Sequence, residues 1–142
     1  SGIGQAVADM LEREGAHVYR ADVQGDGLRL DVTREEDWVK AVAAMERVDV
    51  YVHSAGIATA APVEECALQE WERTLQVNLT GAFLGLKHVL PVMRRNAEGG
   101  SVVLIGSASG TKAAAGAAAY CVSKAGLAML AKVAALEAKG AG

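Results

Sequence analysis

Several things are scarce or missing in this chain, and each narrows what it does. Aromatic residues make up only 4% of it, which leaves few flat platforms on which nucleic-acid bases could stack. No basic run occurs, and the formal net charge is −3, so nucleic acid and anionic membrane surfaces are poor partners. Small molecules fit better. Cys66 and Cys121 are the only two cysteines; they are far apart and have neither CxxC nor Cys/His metal spacing, so they are expected as free thiols in a reducing compartment and no metal site is expected. No apolar run reaches the ~18 residues of a membrane span, and no charged-then-apolar leader precedes the first helix. These features predict a cytoplasmic protein. HExxH and a P-loop lysine are absent, and Gly106-Ser107-Ala108-Ser109-Gly110 carries Ala where a GxSxG nucleophile elbow needs Ser, which excludes the common hydrolase and NTPase chemistries.

What is present suits one compact α/β unit. With 142 residues, 51% of them hydrophobic and 22% charged, the chain has the size and composition of a single globular domain. Apolar positions alternate between short buried runs and stretches of helical period. Ala6, Val7, Met10 and Leu11 form a stripe on a first helix that Gly15 closes. Residues Ala16 to Ala21 read as a strand ending at Asp22, and Leu28 to Val32 as another. Thr33 is placed to cap a second helix, with Glu36 at the capping-box position. Asp49 to Val52 form a strand running into His53-Ser54-Ala55-Gly56, and His53 is read as a strand-end histidine without a catalytic role. A long helix is predicted from Leu68 to Arg95, with Asn78 in its middle and Lys87 and His88 on its surface. Strand Ser101 to Gly106 and an Ala-rich helix follow. Strands alternating with helices predict a Rossmann-type, doubly wound parallel sheet in a three-layer α/β/α domain.

Five places carry chemistry. Gly2 and Gly4 stand at the start of the first helix, where a glycine-rich backbone and the helix dipole favour a phosphate. Asp22, at a strand end roughly 20 residues later, is placed to accept from a ribose hydroxyl. Tyr120 and Lys124 are four apart on one helix and share a face; an ammonium beside a phenol favours the phenolate and fits the tyrosine for proton transfer at neutral pH. Ser107 lies just past a strand, where open α/β sheets bind ligands. Asn78, a poor helix former, needs a bonding reason to sit in mid-helix.

Taken in order, these residues resemble the short-chain dehydrogenase/reductase family over nearly the whole chain. Ser1-Gly2-Ile3-Gly4 resembles the end of its TGxxxGIG phosphate loop, Asp22 its NAD-selecting acid, and Asp31-Val32 its adenine-contacting pair. His53-Ser54-Ala55-Gly56 stands where the family has NNAG, with both Asn residues replaced. Asn78, Ser107, Tyr120 and Lys124 resemble its catalytic tetrad. The resemblance implies an NAD-dependent oxidoreductase acting on a secondary alcohol or ketone, NADP being disfavoured by Asp22. Tyr120 would be the acid/base, Lys124 would tune it and hold the nicotinamide ribose, Ser107 would hold the substrate oxygen, and Asn78 would place a relay water. Ser54, Ala55 and Gly56 would line the cofactor. A homo-oligomer, dimer or tetramer, is implied; the other reading is a catalytically silent dinucleotide-binding or scaffold member. Against the family pattern, residues 1–142 would be a domain without its first strand, part of the region after Asp22 and the C-terminal segment.

Overall fold

A computed structural model describes residues 2–25 and 27–138; Ser1 of the phosphate-loop motif lies outside them. The elements run α1 (Gly2–Arg13), β1 (Ala21–Asp22), β2 (Leu28–Arg29), α2 (Glu35–Ala43), β3 (Val50–His53), α3 (Leu68–Leu75), a π turn (Gln76–Thr80), α4 (Gly81–Met93), β4 (Ser101–Leu104) and α5 (Ala118–Ala138). The fold is α/β of Rossmann type. Its strands form two parallel pairs, β1 with β2 and β3 with β4, the latter in register from Val50 opposite Ser101 to His53 opposite Leu104. No ladder joins the two pairs among the described residues.

Four sequence expectations are corrected. The predicted strands at 16–22 and 28–32 shrink to two residues each, because a strand persists only where a neighbour completes its ladder. Strands this short let the chain close a parallel pair across residues 23–27, with the Leu28 N–H donating to the Arg20 carbonyl at 2.8 Å and the Leu30 N–H to the Asp22 carbonyl at 2.9 Å. Thr33 does not cap α2. Its N–H and hydroxyl both donate to Asp31 Oδ1, at 2.9 and 2.7 Å, so the helix begins after Arg34 and relies on Glu35, Glu36 and Asp37 against its dipole. The single helix predicted at 68–95 is divided by the π turn around Asn78 and ends at Met93. Finally, α5 is 21 residues long with a best-window mean hydropathy of 1.4, apolar and long enough by composition to cross a membrane; its alanines outweigh the lysines that interrupt the run. It is the packed side of this helix that organises the site: Ala119, Ser123, Lys124 and Leu127 form its buried stripe.

At the end of α1 the chain behaves as read. Gly15 takes a left-handed φ of +89°, its N–H donates to the Glu12 carbonyl and that of Ala16 to the Leu11 carbonyl, both at 3.0 Å, which is the Schellman arrangement. No residue of α1 is buried, so its apolar stripe is only partly covered.

The core lies where α2 and α4 meet the strands. Leu30, Trp38, Ala41, Leu84, Val89 and Met93 are its buried members. The Trp38 indole donates to the Val32 carbonyl at 3.0 Å and meets Tyr51 edge to face at 6.0 Å, a geometry aromatic pairs favour. Gly85 of α4 is needed here, since a Cβ would strike the Tyr51 hydroxyl and stand 2.9 Å from Trp38. Gly85→Ala therefore sets an overpacking cost of about 1–3 kcal/mol against a helix-propensity gain of about 1 kcal/mol. A net loss of stability is expected in urea unfolding.

Lys87 is exposed on α4, as read, whereas His88 is part-buried against α2; both bond the Glu35 carboxylate, with His88 Nε2 at 2.9 Å. That clamps α2 to α4. The two partners hold the Glu35 carboxyl below its usual range.

Candidate functional site

Tyr120 and Lys124 stand about one helical turn apart near the start of α5, and the local sequence explains why the lysine can point inward. The buried stripe of α5 is built from small residues, so the helix lies close to its neighbours: a Cβ on Gly126 would come within 2.9 Å of Leu79 in the π turn, and one on Gly110 within 2.9 Å of the Lys124 carbonyl. Lys124 is buried, and its Nζ donates to the Ile105 carbonyl at 2.8 Å. The same ammonium lies 5.8 Å from the centre of the Tyr120 ring. Burial lowers the lysine's pKa, because the charged form loses hydration.

Asn78 explains its own mid-helix position. Fully buried, its Oδ1 accepts from the Ile57 N–H at 2.8 Å, while its Nδ2 donates to the Ile57 carbonyl at 2.9 Å and to Ser123 Oγ at 3.0 Å. The Ser123 hydroxyl donates in turn to the Tyr120 carbonyl at 2.8 Å. One amide thus ties the loop after β3 to the helix carrying Tyr120. The extra residue of the π turn sits at this clamp, consistent with the concentration of such turns at functional sites.

The loop Ser54-Ala55-Gly56 runs between these groups and α1. A Cβ on Gly56 would stand 3.4 Å from Asn78 Oδ1 and 3.6 Å from Lys124 Nζ, and one on Gly4 would collide with the Ser54 hydroxyl. The first turn of α1 therefore rests against the same loop that borders Lys124. Gly2 has φ +59°, a left-handed conformation that glycine adopts freely, and Ile3 beside it is exposed.

Ser107 follows β4 and opens a short 3-10 turn, Ala108–Gly110. Its Oγ accepts from the Ser109 N–H at 3.1 Å, which leaves its own O–H as a donor. Among the described residues it makes no hydrogen bond to Tyr120. Gly110, packed on the Lys124 carbonyl, is what carries this turn against α5. The Ala61 N–H donates to the Gly116 carbonyl at 2.8 Å, closing the wall ahead of Tyr120.

Asp22 is exposed at the carboxyl end of β1, and its Oδ1 accepts from the Gln24 N–H at 3.2 Å. Asp31 has Oδ1 engaged by Thr33, which holds its carboxyl below the usual range. Val32 packs against Gly81 at the head of α4. These three lie on the β1–β2 side, while Asn78, Lys124, Tyr120 and Gly56 form the tight group. Sequence reasoning missed Ser123 and Ile57, whose roles are tertiary, and the burial of His53; the one local signal was a serine set in the alanine stripe of α5. A groove of about 490 Å³ between α4, β4 and the far half of α5 is lined largely by Leu, Met and Ala and lies away from Tyr120, so it is not the site.

Parallel β pairs, a glycine-started helix resting on the loop after β3, and a buried lysine beside a half-buried tyrosine define a Rossmann-type oxidoreductase-like site. The short chain dehydrogenase family profile matches residues 1–142, and the chain belongs to that family. It is 40% identical over 150 residues to a trans-4-hydroxycyclohexanecarboxylate dehydrogenase of Sinomonas cyclohexanicum, covering 96% of this chain and 57% of the relative. A cyclopentanol dehydrogenase of Comamonas is 36% identical over 157 residues, covering 96% and 62%. Among solved structures, the sorbitol-6-phosphate 2-dehydrogenase of Erwinia amylovora superposes with TM-score 0.95 at 27% identity, over 100% of this chain and 64% of that one. The chain thus spans about three-fifths of the length of the relatives it matches.

Proposed function

We propose that this chain is the cofactor-binding and catalytic part of an NAD-dependent oxidoreductase that interconverts a secondary alcohol and a ketone. The observation that carries the reading is the buried Lys124, fixed on Ile105 and set beside Tyr120 and Gly56. The residues present suit a dinucleotide. Gly2 and Gly4 at the start of α1 would take the pyrophosphate, Asp22 would accept from the adenosine ribose, Asp31 and Val32 would meet adenine, and Ser54, Ala55 and Gly56 would line the cofactor beside Lys124. When bound, NAD supplies the hydride acceptor.

Tyr120 removes the proton from the substrate hydroxyl in oxidation and returns it in reduction. The ammonium of Lys124 offsets the negative charge that develops on the phenol oxygen and donates to the nicotinamide ribose. Ser107, with its O–H unengaged, holds the substrate oxygen. Asn78 has one open position, the second lone pair of Oδ1, to receive a relay water. The relatives named for cyclic alcohols favour a cyclic secondary alcohol, and the wall from Thr111 to Ala119 is small and largely apolar. Phe83, Val122, Met129, Val133 and Leu136 are exposed on α4 and α5, apolar surface that a homo-oligomer would cover.

Titration with NADH and separately NADPH, followed by nicotinamide fluorescence, tests the cofactor. NADH is expected to bind more tightly, and Asp22→Ala to narrow the preference by roughly 10- to 100-fold, the value of one or two hydrogen bonds to a charged acceptor. Equal binding of NADPH by the parent would remove Asp22 from its assigned role, and binding of neither would favour the silent scaffold.

A further inference from the structure

His53 stands out as a buried polar group that no role yet explains. It is 3% exposed, and its Nδ1 is 2.8 Å from the Tyr51 hydroxyl. Its Nε2 is the one buried side-chain nitrogen or oxygen without a partner among the described residues. The tautomer follows from counting donors. If Nδ1–H donated to Tyr51, the phenol proton would lack an acceptor and Nε2 a donor, two buried groups unmet. With the phenol donating to Nδ1, only an Nε2–H is left over. Burial raises the pKa of Tyr51, so it keeps the proton that this arrangement needs.

The position of His53 links it to the reacting groups. It immediately precedes Ser54-Ala55-Gly56, its carbonyl accepts from the Ile105 N–H at 2.9 Å, and the Ile105 carbonyl is the acceptor of Lys124 Nζ. The ammonium of Lys124 has three N–H donors and, among the described residues, one protein acceptor. Burial first, and the Lys124 charge second, lower the pKa of His53 to about 4, so the ring is neutral at neutral pH. The Lys124 charge acts on the His53 ring, and a buried Nε2–H without a protein acceptor calls for a small group that accepts from it, a need that a polar interior meets with water.

We propose that His53 is a positioning residue whose Nε2–H holds an internal water on the proton route that leads from Lys124. The proposal rests on the acid/base reading of Tyr120 and Lys124. Its water accepts from His53 and passes its own protons onward, so the imidazole fixes the relay without titrating.

Long-range ¹H–¹⁵N NMR of the histidine-labelled protein, with water-selective exchange spectroscopy, reads the site without turnover. The expected result is a neutral His53 with the proton on Nε2 and a cross-peak to a long-lived water; an Nδ1–H tautomer, or an Nε2–H without water contact, overturns the water site. In kinetics, His53→Leu is expected to lower kcat roughly tenfold, below the ~10²–10⁴ of a direct acid/base group, with a changed solvent isotope effect and unchanged NADH affinity. His53→Gln, which keeps a donor at similar reach, should recover most of it. A Leu variant with parental kcat and isotope effect overturns the role in proton movement. Absence of alcohol oxidation in the parent would sink the acid/base reading and the relay with it, while the NMR result would still decide the water site.

Discussion

Tyr120→Phe is expected to lower kcat by about 10²–10⁴-fold or more while leaving NADH affinity within a few-fold of the parent. The substitution removes one oxygen and keeps the ring. Tyr120 is only half-buried, and the bond that organises its backbone, from the Ser123 hydroxyl to the Tyr120 carbonyl, does not involve its side chain. Thermal stability should therefore change little, and a loss of turnover reports the missing proton carrier. Lys124 offers a poorer test. Its removal would strip the Ile105 carbonyl of its donor in a buried setting, so folding and catalysis would fail together. Steady-state kinetics with a cyclic secondary alcohol, alongside fluorescence titration of NADH, separates the two effects. Parental turnover by the Phe variant would end the acid/base assignment.

The parts of this protein written in local spacing could be read directly. The alternation of apolar runs with helical stripes placed most elements in order, Gly15 closed α1, and an i to i+4 pair put Tyr120 beside Lys124. What could not be read depends on partners distant in sequence. The strands at 16–22 and 28–32 have the right composition, but their length is decided by what lies alongside. Thr33 resembles a helix cap in the sequence; in space, the Asp31 carboxylate is a better acceptor for its hydroxyl than the helix end is a donor. Asn78 could be recognised as anomalous, yet its reason lies 21 residues back at Ile57 and 45 ahead at Ser123. A strand-end histidine is ordinary in a sequence; the significance of His53 is the combination of burial with an unmet nitrogen, which no spacing encodes.

Asn78→Leu is expected to cost roughly 3 kcal/mol or more, the largest stability loss of the substitutions considered. Leucine keeps the γ-branched shape of asparagine but is larger, so some overpacking adds to the loss from polar groups left alone. The Ile57 N–H and carbonyl would each lose their only recorded side-chain partner, at about 1–3 kcal/mol for each buried group left unmet. Ser123→Ala removes only the third bond of the clamp and should cost about 1 kcal/mol. Asn78→Asp falls between, since its carboxylate can still accept from the Ile57 N–H but cannot donate to the carbonyl. Urea unfolding should show this order with unchanged m-values. NADH affinity should fall in the same order, because the clamp holds the loop from Ser54 to Gly56 against Lys124. If stability fell but NADH affinity did not, the clamp would serve the fold alone; if the Leu variant were as stable as the parent, the π turn would owe nothing to Asn78.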